Sequence, residues 1–404
     1  MAGDAADLVV VGAGAIGGWS AVFAAADGAR VVVLERATAG QGASSRAAGI
    51  VRAQGGTPVA VALGRWSVEF YRRQREAFGA DSGFRELGYL LLATTEQEVR
   101  TGRERVEMQR ALGLDVRWIS PDEAAELNPA LDPKAFLGAS YLATDGCIDA
   151  VGNVRAYSLE MQRLGVDLRE RTPAVGFRFE AGRVAGVETP GGTIEAPRVL
   201  LTGGPSLRAV GEMAGVRIPA GGVRHQVAVT APDPAFHVDR QAMAFDVGAG
   251  LYWRLEEGGL LFGMSNPEER PGEAREIDWP YLDEMRRRLA RFIPASAGLG
   301  LRKAWAATID YTPDHLPILG PALGRSGEIV EGLTVASAAG HGMMWGPAVA
   351  RAAADLALTG RTGVVDVSEL GLDRFDEEGR SRLAPDPVAL PFPEHVGTPG
   401  RLRH

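Results

Sequence analysis

The stretch LVVVGAGAIG, residues 8–17, decides how the rest of the chain is read. Four apolar residues, three of them β-branched, make the unbroken run that a strand buried on both faces requires. Gly12, Gly14 and Gly17 follow at G-x-G-x-x-G spacing, and the alanine-rich segment to Ala26 reads as a helix. In that arrangement the first glycine allows a tight turn and the second lets the backbone meet a pyrophosphate. The third lets helix and strand pack closely. Ala15 and Ile16 then open the helix, whose N-terminal N–H groups face the phosphate charge. Asp27-Gly28 breaks the helix, residues 30–34 form a second buried strand, and Glu35 ends it. An acid there accepts hydrogen bonds from the adenosine ribose. The fingerprint alone leaves FAD or NAD open. Beyond Glu35 and Arg36, residues 40–46 hold Ser44, Ser45 and Arg46 among glycines, further donors for a pyrophosphate or a flavin ring.

A chain of 404 residues is long enough for two lobes, each with its own core. Its formal net charge of -8 has both signs interspersed, and no basic block supports a nucleic-acid or anionic-membrane role. One cysteine, Cys147, leaves no intramolecular disulfide and no cysteine-cluster metal site, so no metal is expected and the setting reads as reducing and cytoplasmic. Residues 8–26 follow an acidic leader and are interrupted by glycines, which fits neither a secretory signal nor a membrane span.

Helical composition covers 67–78 and 96–112, and residues 281–292 form an arginine-rich amphipathic helix. Strands are expected at 88–94, at 223–230 and within 251–264, with short strands and turns from 174 to 201. After residue 320 the pattern returns to strand 333–336, a glycine turn and helix 347–359. The fold expected is α/β with an α+β second lobe: a Rossmann-type cofactor domain with an inserted antiparallel-sheet substrate domain. Residues 1–80, 145–222 and 313–378 form the discontinuous cofactor domain, and 81–144 with 223–312 form the substrate domain. The proline-rich tail 379–404 reads as an extended or poorly ordered arm.

Five segments in order resemble the D-amino-acid oxidase superfamily of flavoenzymes, within it the sarcosine-oxidase-like branch. They are VVVGAGAIG (9–17) with Glu35-Arg36, SSRAAGIVR (44–52), LTGG (201–204), Trp305 with TPDHLPILG (312–320), and GHGMM (340–344) before Pro347. The resemblance runs from Leu8 to about Phe375 and implies noncovalently or covalently bound FAD and oxidation of a C–N bond. The hydride leaves the C–H next to nitrogen for flavin N5, and water hydrolyses the imine. It also implies flavin contacts at Gly203, Gly204, Gly340, Gly342, Met343 and Met344, and an adenine contact at the Val175 backbone.

Departures bear on substrate. Where sarcosine-oxidase-like enzymes carry a carboxylate-holding lysine after the Gly-His-Gly segment, this chain has Met344. Residues 306–310 lack the arginine that many relatives place after the late tryptophan. Arg52 remains as a carboxylate fork, with Arg254 second if it points inward. Residues 259–263 lack the lysine that promotes reaction with oxygen, so a dehydrogenase is expected. Ala307 stands near the place of the FAD-linking cysteine, so FAD is expected to be noncovalent.

Single residues keep two readings. Arg52 clamps substrate or shields the flavin; His341 is a base or shapes the flavin edge; Tyr252 lids the pocket or fills the sheet core. Met343, Met344 and Trp345 make an apolar pocket lining. His225 reads as a strand residue near the lobe junction, and Asp310 and Asp314 as ordering the turn at Thr312-Pro313. The function expected is oxidation of a small amine or amino acid, secondary or N-alkylated first. Its rivals are an FAD-dependent 2-hydroxy acid or polyol-phosphate dehydrogenase, which needs a histidine base, and a flavin-binding subunit of a multi-subunit oxidoreductase. The electron acceptor (oxygen, a quinone or a redox protein) stays open.

Overall fold

A computed structural model describes residues 6–236 and 241–388. At its centre lies β1, Leu8–Val11, with every residue buried. It pairs in parallel with β2, Val31–Leu34, on one side and with Val199–Leu201 on the other. Asp167–Arg169 extends the parallel sheet beyond β2, and Ile329–Ser337 extends it beyond Val199–Leu201. Strands carrying helices on a covered face must be apolar throughout, which is why both β1 and β2 read as continuous runs. The helix α1, Ala15–Ala26, packs on this sheet beside Gly346–Thr359. Small residues let the two approach until Ser20 Oγ donates to the Ala350 carbonyl at 3.1 Å. A Cβ on Gly18 would meet the Tyr157 ring at 2.5 Å, so the glycine after the fingerprint serves helix packing. The opposite face is covered by the strands at 176–195 and by helix Leu207–Met213.

An eight-stranded sheet forms the second layer system. It runs from Leu301–Tyr311 through Gly221–Thr230, Gly259–Met264, Leu251–Glu256 and Met243–Asp246 to Tyr89–Ala93, Gly138–Leu142 and Arg117–Ile119. Six of its seven strand pairings are antiparallel, yet Tyr89–Ala93 runs parallel to Met243–Asp246. These two strands belong to different passes of the chain, so no hairpin forces them antiparallel. Side chains alternate across it: Leu90 and Leu92 join the core under helix Trp279–Phe292, whereas Tyr89 and Leu91 face the other way. Among the described residues no helix is long and apolar enough to cross a membrane.

Two expectations change. The helix expected over 67–78 starts earlier, at Pro58, with Thr57 Oγ1 accepting from Ala60 N at its N-terminus. Thr-Pro is a helix-start pair, N-cap followed by N1, and its signal stands in the sequence. The tail is the second. Residues 379–388 are seated on the molecule, and Asp386 and Val388 are buried; the remainder of the expected arm, 389–404, lies outside the described residues.

Candidate functional site

One elongated cavity joins the glycine turn to the second sheet. Gly12, Gly14, Ala15, Ile16, Glu35 and Arg36 line one end; Arg52, Tyr89, His225, Phe245, Tyr252 and Val388 line the other.

At the turn, each glycine answers a different constraint. Gly12 holds φ at +105°, in the region that favours glycine, and a Cβ there would stand 2.7 Å from the Thr202 carbonyl oxygen. A Cβ on Gly17 would sit 1.9 Å from Gly12 O, so this position closes the helix onto the turn and does not itself line the cavity. Gly14 is otherwise. Its nearest neighbour would be Ser44 Oγ at 3.2 Å, and its backbone (φ -77°, ψ -173°) suits any residue. What a side chain at 14 would fill is cavity, as a pyrophosphate cradle requires.

Glu35 accepts from Ala13 N at 2.9 Å through one oxygen and from Ala37 N at 2.8 Å through the other. Each carboxylate oxygen keeps a second lone pair for a ribose hydroxyl on the cavity side. Ser44 Oγ accepts from Ala15 N at 2.9 Å, pinning the 44–46 turn to the start of α1. Arg46 lines the cavity and donates to the Gly42 carbonyl, while Ser45 stays outside the lining with its N–H on Gly40 O. Gly203 and Gly204 line the middle, with Gly204 at φ +53°. Opposite them the segment Gly340, His341, Gly342, Met343, Met344 lines the cavity and leads directly into helix Gly346–Thr359, bringing a second positive helix end to the site. The donors, the acid and the bare glycine fit a flavin dinucleotide.

Three candidate positions fall elsewhere. Val175 does not line the cavity; it is half exposed and its N–H is committed to Glu188 O. Trp345 is fully buried behind His341, their ring centroids 4.3 Å apart, in the core rather than the lining. Arg254 points away from the lining: its Nε donates to Ala48 O at 3.0 Å and its Nη1 pairs with Glu256. With Trp305 Nε1 on Arg46 O at 2.8 Å, it clamps the segment that delivers Arg52. Asp310 also differs from expectation. It accepts from Ser337 Oγ at 2.5 Å and lines the cavity, its carboxyl raised by burial, whereas Asp314 orders the turn by accepting from Leu316 N.

Arg52 is buried, its guanidinium 5.8 Å over the Phe245 ring, with Nη1 donating to Gln54 O at 2.6 Å and Nη2 to Val388 O at 2.5 Å. Beside it, Tyr252 and His225 form a pair that strand patterning alone does not reveal. Tyr252 lies opposite Gly263, and Gly263 lies opposite Val227 on the next strand. A Cβ on Gly263 would stand 2.4 Å from the Tyr252 hydroxyl, so the missing side chain lets the phenol lie across the strand to reach His225. His225 Nε2 meets Tyr252 Oη at 2.6 Å and Nδ1 meets Ser265 Oγ at 2.8 Å. Burial pushes His225 down to about 4. His341 is pushed down to about 3 by burial and by the Arg52 charge, and its Nδ1 bonds the Ala339 carbonyl at 2.8 Å. Both rings are therefore neutral at neutral pH.

A Rossmann-type turn feeding a cavity that ends under a second sheet defines a two-lobed flavin oxidoreductase. The chain belongs to the DAO family of FAD dependent oxidoreductases, whose model matches residues 7–356. It is 27% identical over 385 residues to 4-methylaminobutanoate oxidase (formaldehyde-forming) of Paenarthrobacter nicotinovorans, covering 93% of this chain and 46% of that protein. Glycine oxidase of Geobacillus kaustophilus is 30% identical over 364 residues, covering 87% and 92%. Among solved structures, L-proline dehydrogenase from P. horikoshii superposes with a TM-score of 0.86 at 28% identity, covering 94% of this chain and all of that one. The chain spans about half the length of several curated relatives it matches.

Proposed function

We propose that this protein oxidises the C–N bond of a small amino acid, a secondary or N-alkylated one first, with noncovalent FAD as the immediate acceptor. The observation that carries this reading is the meeting of a buried guanidinium, Arg52, and a buried phenol, Tyr252, at the far end of the dinucleotide cavity. FAD bound there supplies the hydride acceptor for the C–H next to nitrogen, and water hydrolyses the imine that leaves.

The protein's own groups bind and orient. The free donors of Arg52 take the substrate carboxylate. Tyr252 donates to His225 Nε2 while His225 Nδ1–H donates to Ser265, and this tautomer leaves the phenol oxygen to accept an N–H from the substrate amine. Phe245, Tyr89, Met343 and Met344 exclude water around the reacting carbon. A hydroxy acid would instead need a base with a pKa near the working pH. Two histidines held neutral by burial are poor candidates for it, which favours the amine. Names of relatives agree: 4-methylaminobutanoate, dimethylglycine, sarcosine and L-proline all present a secondary or N-methylated nitrogen.

Arg52→Gln and Tyr252→Phe test the two contacts. A charge-assisted hydrogen bond contributes about 1.5–3 kcal/mol and a neutral one about 1 kcal/mol. Arg52→Gln is expected to raise KM for the amino acid by about 10- to 100-fold, and Tyr252→Phe to lower kcat/KM by about five- to tenfold. Unchanged steady-state constants in both variants would remove the carboxylate-and-amine reading.

We further propose a dehydrogenase in a reducing, cytoplasmic setting. Leu261 and its neighbours on strand Gly259–Met264 offer no cation to promote oxygen reactivity. Reoxidation of the reduced enzyme is expected to be much faster with an artificial dye than with air; equal stopped-flow rates would contradict this. The lone Cys147 lies outside the cavity lining, in keeping with FAD held without a thioether.

A further inference from the structure

The C-terminal segment re-enters the site. Ser381 Oγ donates to Asp314 Oδ2 at 2.6 Å, and Asp386 N donates to the Asp314 carbonyl at 3.1 Å, so the chain is carried along the 312–316 turn. Asp386 is then folded back on itself and onto the first lobe. One oxygen accepts from Val388 N at 2.9 Å and the other from Gly56 N at 3.3 Å. Gly56 is cut to fit: a Cβ there would stand 2.1 Å from Asp386 Oδ1 and 2.5 Å from Pro387 Cδ. Arg105, buried on helix Glu96–Ala111, adds its positive charge beside Asp386. At the end of this path Val388 is fully buried, lines the cavity, and turns its carbonyl onto Arg52 Nη2.

We propose that residues 385–388 are a strap built into the substrate site, with Asp386 and Val388 as positioning residues that aim the Arg52 guanidinium. Gln54 O and Val388 O each take one N–H from a different terminal nitrogen of Arg52. Two fixed acceptors on a planar group with five donors hold its plane, and the remaining N–H groups stay available for a carboxylate. Without the strap, Arg52 keeps its charge but loses one of the two anchors that set its direction, and the fork geometry that a bidentate carboxylate needs is no longer preset. This inference rests on the reading of Arg52 as the carboxylate clamp.

Propionate, a carboxylate with no amine to oxidise, separates the two ideas. Its Kd is measured from the perturbation of the flavin spectrum in the FAD-loaded full chain and in Arg52→Gln, Asp386→Ala, Gly56→Ala, Asp386→Asn and a chain ending at Ala384. FAD content and thermal unfolding of each variant identify those that are folded. Asp386→Ala, Gly56→Ala and the truncation are expected to weaken propionate by about tenfold, the effect of losing roughly one aimed hydrogen bond to a charged group. All three should also raise KM for the amino-acid substrate, and Asp386→Ala and Gly56→Ala, which leave Val388 in the chain, should keep kcat near that of the full chain. Asp386→Asn keeps the oxygen that accepts from Val388 N but sets an amide NH2 against Gly56 N, so it should weaken propionate less than Asp386→Ala does. If Arg52→Gln weakens propionate while the folded strap variants bind it normally, the strap is overturned and the clamp stands. If Arg52→Gln itself binds propionate as the full chain does, the clamp reading fails and the strap's role fails with it.

Discussion

Gly14→Ala is expected to give a folded protein that purifies without its yellow colour. Gly12 and Gly17 cannot make this separation, since a Cβ at either would strike backbone oxygen, at 2.7 Å and 1.9 Å, and disturb the turn itself. At Gly14 the added methyl meets only the Ser44 hydroxyl, at 3.2 Å, and the backbone is already in a conformation alanine adopts. The cost therefore falls on the ligand. A methyl between the backbone and a pyrophosphate pushes the phosphates off the N-terminus of α1, where they gain both hydrogen bonds and dipole. FAD affinity should fall by at least about 100-fold, on the order of 2.7 kcal/mol. Titrating the apoprotein with FAD measures it, with circular dichroism and the melting temperature compared between the two apoproteins. A variant that retains stoichiometric FAD at full affinity would show that the cradle is not where the pyrophosphate sits.

Arg374→Ala is expected to be the most damaging single change away from the cavity. Its guanidinium forks onto Asp314, Nε to Oδ2 at 2.7 Å and Nη2 to Oδ1 at 3.0 Å, with both side chains almost wholly buried. Burial alone would raise the Asp314 carboxyl, but the Arg374 hydrogen bonds and charge, aided by Ser381 and Leu316 N, hold it below its ordinary value. Removing the arginine leaves a buried carboxylate without its cation, a loss of about 3–5 kcal/mol. Urea unfolding of the FAD-loaded protein reads this as a shift of midpoint. Because Ser381 and Asp386 N also hang on Asp314, Arg374→Ala should loosen the strap as well. A loss under about 1 kcal/mol would place the pair among those that contribute little.

Legibility in the sequence followed the range of the interactions. The turn, α1 and the two central strands were readable because their signals are local: continuous burial, glycine spacing and a terminal acid. Glu35 and Ser44 take cavity positions for the same reason. The Thr57-Pro58 helix start was also local, yet the helix was expected only from residue 67. What stayed hidden depends on long-range register. His225 reads as an ordinary strand residue until Gly263 opens the slot through which Tyr252 crosses to it. Arg254 and Arg52 carry the same chemistry in one dimension, yet one ends on Ala48 O and the other in the cavity. The strap lay furthest from view, since a proline-rich tail with little periodicity looks unstructured unless its seat, Gly56, is known in space.

Reducing equivalents are expected to enter this flavoprotein from a C–N bond. Anaerobic mixing of the purified yellow protein with a panel of small molecules tests it most directly, following the flavin's visible band. Secondary or N-methylated amino acids such as sarcosine and proline should bleach the band, while 2-hydroxy acids and polyol phosphates leave it unchanged. Bleaching by a hydroxy acid, with every amine and amino acid inert, would contradict the account.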